Sequence, residues 1–192
     1  MSCTEIYAFD KEGYACFYEE VKNAWRGAMA IWGALEEKYL PPYIPEYVLR
    51  LGITNHEQAE RKLGYKPTRI TSMMYEAGIR EIWSLADSNK VSEVDKICLH
   101  TTFDKVLIKK EDIPKVVDAF RNFESETSLK EQADILEEIY KSGDYIAVGW
   151  NQMSENSKSW GDYHGYDDEK DESIPYNCLN ENEHYWLFDD LK

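Results

Sequence analysis

The sequence has no long apolar run and none of the features of a secretory leader. No uninterrupted apolar stretch approaches the ~20 residues that a helix needs to cross a bilayer. Residues 1–6 lack the basic head and the apolar core of a signal peptide. We therefore expect a cytoplasmic protein that does not act at a membrane.

Cysteines are few, and no two of them form a C-x-x-C pair. The four cysteines are Cys3, Cys16, Cys98 and Cys178. Because they are widely spaced, we expect reduced thiols that are mostly buried. A zinc site normally shows paired ligands at short spacing, and no such pairing is evident. The sequence therefore predicts no metal site.

Catalytic and nucleotide-binding motifs are also lacking. The segment 64–67 does not have the glycine spacing of a phosphate-binding loop, and no zinc-protease, serine-hydrolase or deaminase pattern occurs. The sequence therefore predicts no cofactor. A thiol enzyme would place a cysteine beside a histidine, which leaves Cys98 with His100 and Cys178 with His184 as candidates. The first pair would diverge on a helix but share a face in a strand.

Basic residues are scarce. Twenty-two lysines and arginines oppose 37 acidic residues, which gives a formal charge of -15. Such a surface repels phosphate backbones and anionic lipids, so we expect no direct binding to nucleic acid or membranes. A basic partner is favoured, and nucleic-acid-binding proteins are a common source of basic surface. The alternative is that the acidity serves solubility only.

What the chain does contain favours a single α+β domain over 1–192, with a small sheet packed against several helices. Apolar residues make up 43% of the chain. Residues 4–9 read as a strand and 10–13 as a turn. A long N-terminal helix is predicted over 16–39, ended by Pro41 and Pro42. Its apolar stripe comprises Val21, Trp25, Ala28, Ile31, Trp32, Leu35 and Tyr39.

The region 104–152 predicts a β-α-α-β unit. Strands are expected over 105–109 and 145–150. A helix is expected over 112–123, and a second one runs from a capping box at Ser128 and Glu131 to about Tyr140. Shorter helices are predicted over 56–63, 74–87 and 93–101. We expect the N-terminal strand and the long helix to complete a core over 1–154.

The last part of the chain, 155–192, differs in composition. Eleven acidic and three basic residues give it a charge of -8, which leaves -7 for the first 154 residues. Aromatic residues are interleaved with the acids, and a purely solvated tail would not need so many rings. We expect an ordered, loop-rich segment that packs its rings back onto the domain.

Carboxylates along an ordered surface can imitate a phosphate backbone, and Tyr and Trp often anchor interfaces. We therefore expect a binding protein or inhibitor rather than an enzyme, one that acts as a nucleic-acid mimic on a basic, nucleic-acid-binding partner. By analogy, a phage or mobile-element counter-defence protein such as an anti-CRISPR would fit. The predicted partner-binding residues are Trp160, Asp162, Tyr163, Tyr166, Asp167, Asp168, Glu169, Asp171 and Glu172.

Two further hypotheses remain open at this point. One is a small cytosolic enzyme with a Cys/His or carboxylate site, whose pocket would lie near Trp25 and Trp32. The other is a housekeeping domain with a solubilising acidic surface. The acidic run 167–172 does not predict a calcium site, because it lacks the glycine and the ligand spacing of an EF-hand loop.

Overall fold

The computed structural model describes residues 3–22, 27–41, 56–64, 76–125, 128–153, 160, 165–181 and 183–191. By their internal contacts these form two compact units, Met1–Ile31 together with Ser92–Lys192, and Trp32–Val91. The predicted single domain over 1–192 stays a prediction. Among the described residues, no helix is long and apolar enough to cross a bilayer.

The architecture is α+β, as predicted. In chain order the helices and strands are β1 (Cys3–Asp10), β2 (Ala15–Lys22), α1 (Ala28–Tyr39), α2 (His56–Leu63), α3 (Glu76–Trp83), α4 (Glu93–His100), β3 (Val106–Lys109), α5 (Ile113–Asn122), α6 (Leu129–Ser142), β4 (Tyr145–Met153), β5 (Gly165–Asp167), β6 (Glu172–Ile174), α7 (Cys178–Glu181), β7 (Tyr185–Trp186) and α8 (Leu187–Asp190). Short 3₁₀ helices cover Ser84–Asp87 and Lys110–Asp112.

The predicted long helix over 16–39 is wrong in its first part. Residues 15–22 form β2, which pairs antiparallel with β1 along its whole length. The predicted turn before it is confirmed, and the Asp10 carboxylate fixes it by accepting from the amides of Glu12 and Tyr14 at 3.0 and 2.9 Å. Pairing with a neighbouring strand has overridden a helical apolar spacing, and the helix itself begins only at Ala28.

The predicted β-α-α-β unit is confirmed as β3, α5, α6 and β4. The five-stranded sheet has the order β2-β1-β4-β3-β7, with β3 and β7 parallel and the other pairs antiparallel. One face of this sheet carries Ile6, Val148 and Trp150. Because the Trp150 ring meets Phe120 of α5 at 6.1 Å between centroids, this is the face that the helices cover.

The start of α6 is where the sequence predicted it, but the predicted cap by the Ser128 side chain is wrong. The Ser128 side chain makes no capping hydrogen bond. Instead, the Gln132 side chain donates from Nε2 to Ser128 Oγ at 2.9 Å, and its Oε1 accepts from the Trp150 indole at 3.3 Å. This buried chain of hydrogen bonds connects the helix to the sheet. At the other end of α6, Gly143 lies in the left-handed region, as expected of a helix terminus.

The shorter helices agree with the sequence. Residues 56–63 are helical, as predicted. The predicted helix over 74–87 is α3 continued by a 3₁₀ turn. Ser92 caps α4 by accepting from the Asp95 amide at 3.2 Å. Within the unit formed by Trp32–Val91, the Trp32 and Trp83 rings meet edge to face at 6.0 Å.

Candidate functional site

The second face of the five-stranded sheet is covered by the C-terminal part of the chain. Tyr7, Phe9, Leu107 and Ala147 form a buried cluster with Trp160 and Cys178, against which Tyr176, Leu179 and Trp186 pack. This arrangement confirms the predicted packing of rings onto the domain for Trp160, Tyr176 and Trp186 of residues 155–192, which we call the acidic segment, whereas Tyr166 is exposed. The same segment therefore has to be divided into residues that build the core and residues that face solvent.

Trp160 belongs to the core, which corrects its assignment as a partner-binding residue. It is fully buried, and its ring meets Phe9 edge to face at 5.1 Å. Its indole donates to the Trp150 carbonyl at 3.4 Å. The Lys105 ammonium lies 4.1 Å from the ring centroid, within cation-π range. A side chain without exposed surface cannot anchor an interface, so Trp160 instead fixes the acidic segment to the sheet.

Two more lysines hold the end of the chain. Lys109 lies 5.6 Å from the Trp186 ring centroid and 3.4 Å from the Asp189 carboxylate. Lys115 lies 4.7 Å from the Phe188 ring centroid. Cation-π contacts at such exposed sites are only weakly stabilising. Lysines of β3 and α5 are therefore used to hold an acidic, aromatic segment in place.

Between these anchored parts lies a hairpin of residues 165–174, which we call the acidic hairpin. Strands β5 and β6 pair antiparallel in a two-stranded sheet of their own. None of its ten residues is buried. Five of them are acidic and one is Lys170, so the acidic hairpin carries a net charge of -4.

Local hydrogen bonds shape the turn of the acidic hairpin. The Asp167 carboxylate accepts from the amides of Glu169 and Lys170 at 3.1 and 3.2 Å, and it pairs with the Lys170 ammonium at 3.1 Å. The lysine side chain and then the two amides lower the pKa of Asp167. Asp171 adopts a positive φ of 55°, a conformation that Asp tolerates better than most residues. The turn is thus specified by its acidic residues.

Asp167 and Glu172 lie on one face of the acidic hairpin, and Tyr166 with its partner Asp171 lies on the other. Asp167 and Glu172 are cross-strand partners and share a face with Ile174. On the other face, the Tyr166 hydroxyl donates to the Asp171 carboxylate, which raises the pKa of Tyr166. Tyr166 is 54% exposed and Ile174 is 38% exposed. Each face therefore combines a carboxylate with an exposed large side chain.

Six of the nine predicted partner-binding residues lie together in the acidic hairpin. They are Tyr166, Asp167, Asp168, Glu169, Asp171 and Glu172. Trp160 lies in the core, and Asp162 and Tyr163 lie outside the described residues. Ile174 was not predicted, because an isolated apolar residue in an acidic run carries no distinctive signal.

The cysteine-histidine pairs do not have the features of a thiol nucleophile. Cys98 and His100 lie on helix α4, where residues two apart point in different directions. Burial and the nearby Asp95 raise the pKa of Cys98, which favours the unreactive thiol. Cys178 is also buried, with its sulfur 3.8 Å from the Trp160 carbonyl oxygen. His184 packs its ring against Trp160 and Trp186.

An open groove between α5 and α6 has a volume of about 320 Å³. Val117 and Tyr140 form part of its apolar lining, and Asp118 and Glu137 supply carboxylates at its side. Neither a cysteine nor a histidine lines it. The groove therefore offers no support for the thiol-enzyme hypothesis.

A polar cluster that the sequence did not predict lies at one end of β1. The Cys3 sulfur and carboxylate oxygens of Glu5 and Glu20 all lie within 4.8 Å of one another. Burial, followed by the charges of Glu20 and Glu5, raises the pKa of the Cys3 thiol to about 11. Glu20 lies on β2, the strand that the sequence predicted as helix, so the pairing could not be anticipated. The available signal was the alternation of Cys3 and Glu5 along β1.

No protein-family model, curated protein or solved structure matches this chain.

Proposed function

We propose that the protein is a cytoplasmic binding module that docks its acidic hairpin onto the basic surface of a nucleic-acid-binding protein. The observation that carries this proposal is that no residue of the acidic hairpin is buried and most of them are exposed. Its net charge of -4 is displayed together with Tyr166 and Ile174, and none of its residues contributes to the core. An ordered element that buries nothing in its own fold is available to bury surface against a partner.

The hairpin combines the two properties that docking on a basic partner requires. Its carboxylates attract a basic surface over a distance and raise the rate of encounter. Its tyrosine supplies a large, rigid contact area of the kind that dominates interface energies. The hairpin itself has only two strands, which are marginally stable alone, so contact with a partner would also stabilise it.

The function that follows is inhibition by mimicry of nucleic acid. A basic groove that holds a phosphate backbone can hold a row of carboxylates instead. Asp167 and Glu172 face each other across the two strands, with Cβ atoms roughly 4.5–5.5 Å apart, so one face of the hairpin presents two adjacent carboxylates that cationic side chains can contact. The bound module would then exclude nucleic acid from its partner. A phage or mobile-element counter-defence protein is one setting in which such competition is useful.

The test is capture from the native cytosol, followed by mass spectrometry of the bound proteins. The test variant reverses three exposed acids of the hairpin, Asp168→Lys, Glu169→Lys and Glu172→Lys. It leaves Asp167 and Asp171 in place because they shape the turn and hold Tyr166. The matched control reverses three exposed acids elsewhere, namely Asp118→Lys, Glu131→Lys and Glu138→Lys.

We expect wild type and control to retain a nucleic-acid-binding protein that the hairpin variant loses. An added oligonucleotide should release that protein from the wild type, since both compete for one basic surface. Capture that survives the hairpin reversal, or a captured protein that the oligonucleotide does not release, would contradict the proposal. Recovery of no specific partner would favour acidity for solubility alone.

A further inference from the structure

The polar cluster at the end of β1 has the composition and geometry of a metal site. We propose that Cys3, Glu5 and Glu20 bind a divalent cation that accepts thiolate, best matched by Zn²⁺, with a fourth coordination position open to water. This inference is independent of the acidic hairpin and goes beyond the proposed function.

The sheet itself brings the three ligands together. Cys3 and Glu5 are two residues apart on β1 and share a face, and Glu20 is the direct partner of Glu5 on β2. Their ligand atoms lie within 4.8 Å of one another. Ligands around a tetrahedral zinc are roughly 3.3–3.8 Å apart, given bond lengths of about 2.0–2.3 Å. Small rotations of the side chains therefore suffice to close the site around an ion.

The pairing of the two glutamates is an independent reason to expect a cation. Like charges that face each other directly across two strands are destabilising, yet Glu5 and Glu20 are held in this register. In the described part of the chain, no lysine or arginine forms an ion pair with Glu20, whose carboxylate accepts a hydrogen bond from the Cys3 thiol. A divalent ion between the two carboxylates would convert the repulsion into attraction.

One of the carboxylates is also oriented by a neighbour. The Tyr7 hydroxyl donates to Glu5 Oε2 at 3.0 Å, and Tyr7 is only 4% exposed. Hydrogen bonds of this kind fix the orientation of metal ligands and raise their affinity for the ion.

The donor set selects the kind of metal. Calcium and magnesium require six or more oxygen ligands and do not favour sulfur. A thiolate with two carboxylates suits zinc, which takes Cys and Glu ligands in four-coordinate sites. Binding releases to solvent the proton that the Cys3 thiol carries in the absence of metal. Three protein ligands with one open position is the arrangement found in zinc sites that bind water or substrate.

The experiment uses the full chain after removal of any affinity tag, titrated with Co²⁺ as a spectroscopic substitute and then with Zn²⁺. We expect one equivalent of Co²⁺ to give thiolate-to-cobalt charge-transfer absorption, which Zn²⁺ then displaces. Cys3→Ser should abolish this absorption. The control is Cys16→Ser, which alters a half-buried thiol on the other face of the sheet and should leave the spectrum unchanged.

The carboxylates are tested with Glu20→Gln and the matched variant Glu19→Gln, whose side chain lies on the opposite face of β2. We expect Glu20→Gln to lower the affinity for Zn²⁺ by at least about tenfold and Tyr7→Phe to lower it by about tenfold. Glu19→Gln should leave the affinity unchanged. Without metal, Glu20→Gln should unfold at a higher temperature than wild type, because the like-charge pair is gone. With Zn²⁺, wild type should gain more thermal stability than this variant.

A charge-transfer band that persists in Cys3→Ser would overturn the proposal. Wild type that binds Zn²⁺ no better than Cys3→Ser would do the same. So would Glu20→Gln and Glu19→Gln variants with equal affinity for Zn²⁺.

Discussion

At the scale of single residues, Leu107 and Phe9 pack closely against Gly149 on the face of the sheet that the C-terminal part of the chain covers. A Cβ atom at this position would lie 2.5 Å from Leu107 Cδ2 and 3.1 Å from the Phe9 ring. Both neighbours are fully buried, and Phe9 in turn supports Trp160. The absence of a side chain at Gly149 therefore allows these residues to cover the strand.

We expect Gly149→Ala to lower the free energy of unfolding by about 1–3 kcal/mol, the usual cost of overpacking a core. Urea denaturation monitored by tryptophan fluorescence measures this change. The double variant Gly149→Ala, Leu107→Val should recover part of the loss, because the smaller side chain makes room for the new methyl group. A neutral Gly149→Ala would show that the neighbours can move apart at no cost.

At the scale of elements, the sequence predicted those parts whose signals are local. Helices α5 and α6 carry apolar residues at helical spacing, and Val116, Phe120 and Leu136 of this pattern are buried. Strand β2 was mistaken for helix because what defines it is pairing with β1, which local spacing does not report. The same error concealed the contact of Glu20 with Cys3 and Glu5.

The acidic segment shows the same division between local and long-range information. Composition identified the charged run that became the acidic hairpin, since charge and turn residues are read directly from the sequence. It did not separate Trp160, which is buried, from Tyr166, which is exposed. Both are aromatic residues among acids, and only the packing of Trp160 on Phe9 distinguishes them.

Removal of the acidic hairpin should leave the stability of the protein nearly unchanged. Replacing residues 166–173 with Asn-Gly keeps the cross-strand partners Gly165 and Ile174 and closes them with a two-residue turn. Because no hairpin residue is buried, we expect the free energy of unfolding to change by less than about 0.5 kcal/mol. Trp160→Ala, in contrast, should cost about 3–5 kcal/mol.

Urea denaturation of the two variants makes the comparison. The shortened protein should also lose the partner that wild type captures. If shortening destabilised the protein as much as Trp160→Ala does, the hairpin would be part of the core and unsuited to the proposed role.

At the scale of the whole molecule, the question is whether the total charge or its local arrangement governs association. The formal charge is -15, of which the acidic hairpin holds -4. Electrostatic steering acts over the Debye length, about 10 Å at 0.1 M salt. Charges of the hairpin therefore dominate the field felt by a partner that approaches it, while distant acids are screened.

This argument predicts how the association rate should depend on salt and on the site of charge reversal. The hairpin reversal and its control each change three acids to lysine, so both bring the formal charge from -15 to -9. Stopped-flow or surface binding measurements with the captured partner should give a rate for wild type and control that falls at least about tenfold between 0.05 and 0.5 M salt. The hairpin variant should associate slowly at both salt concentrations. Equal slowing by the two reversals would instead assign the effect to net charge and leave the hairpin without a specific role.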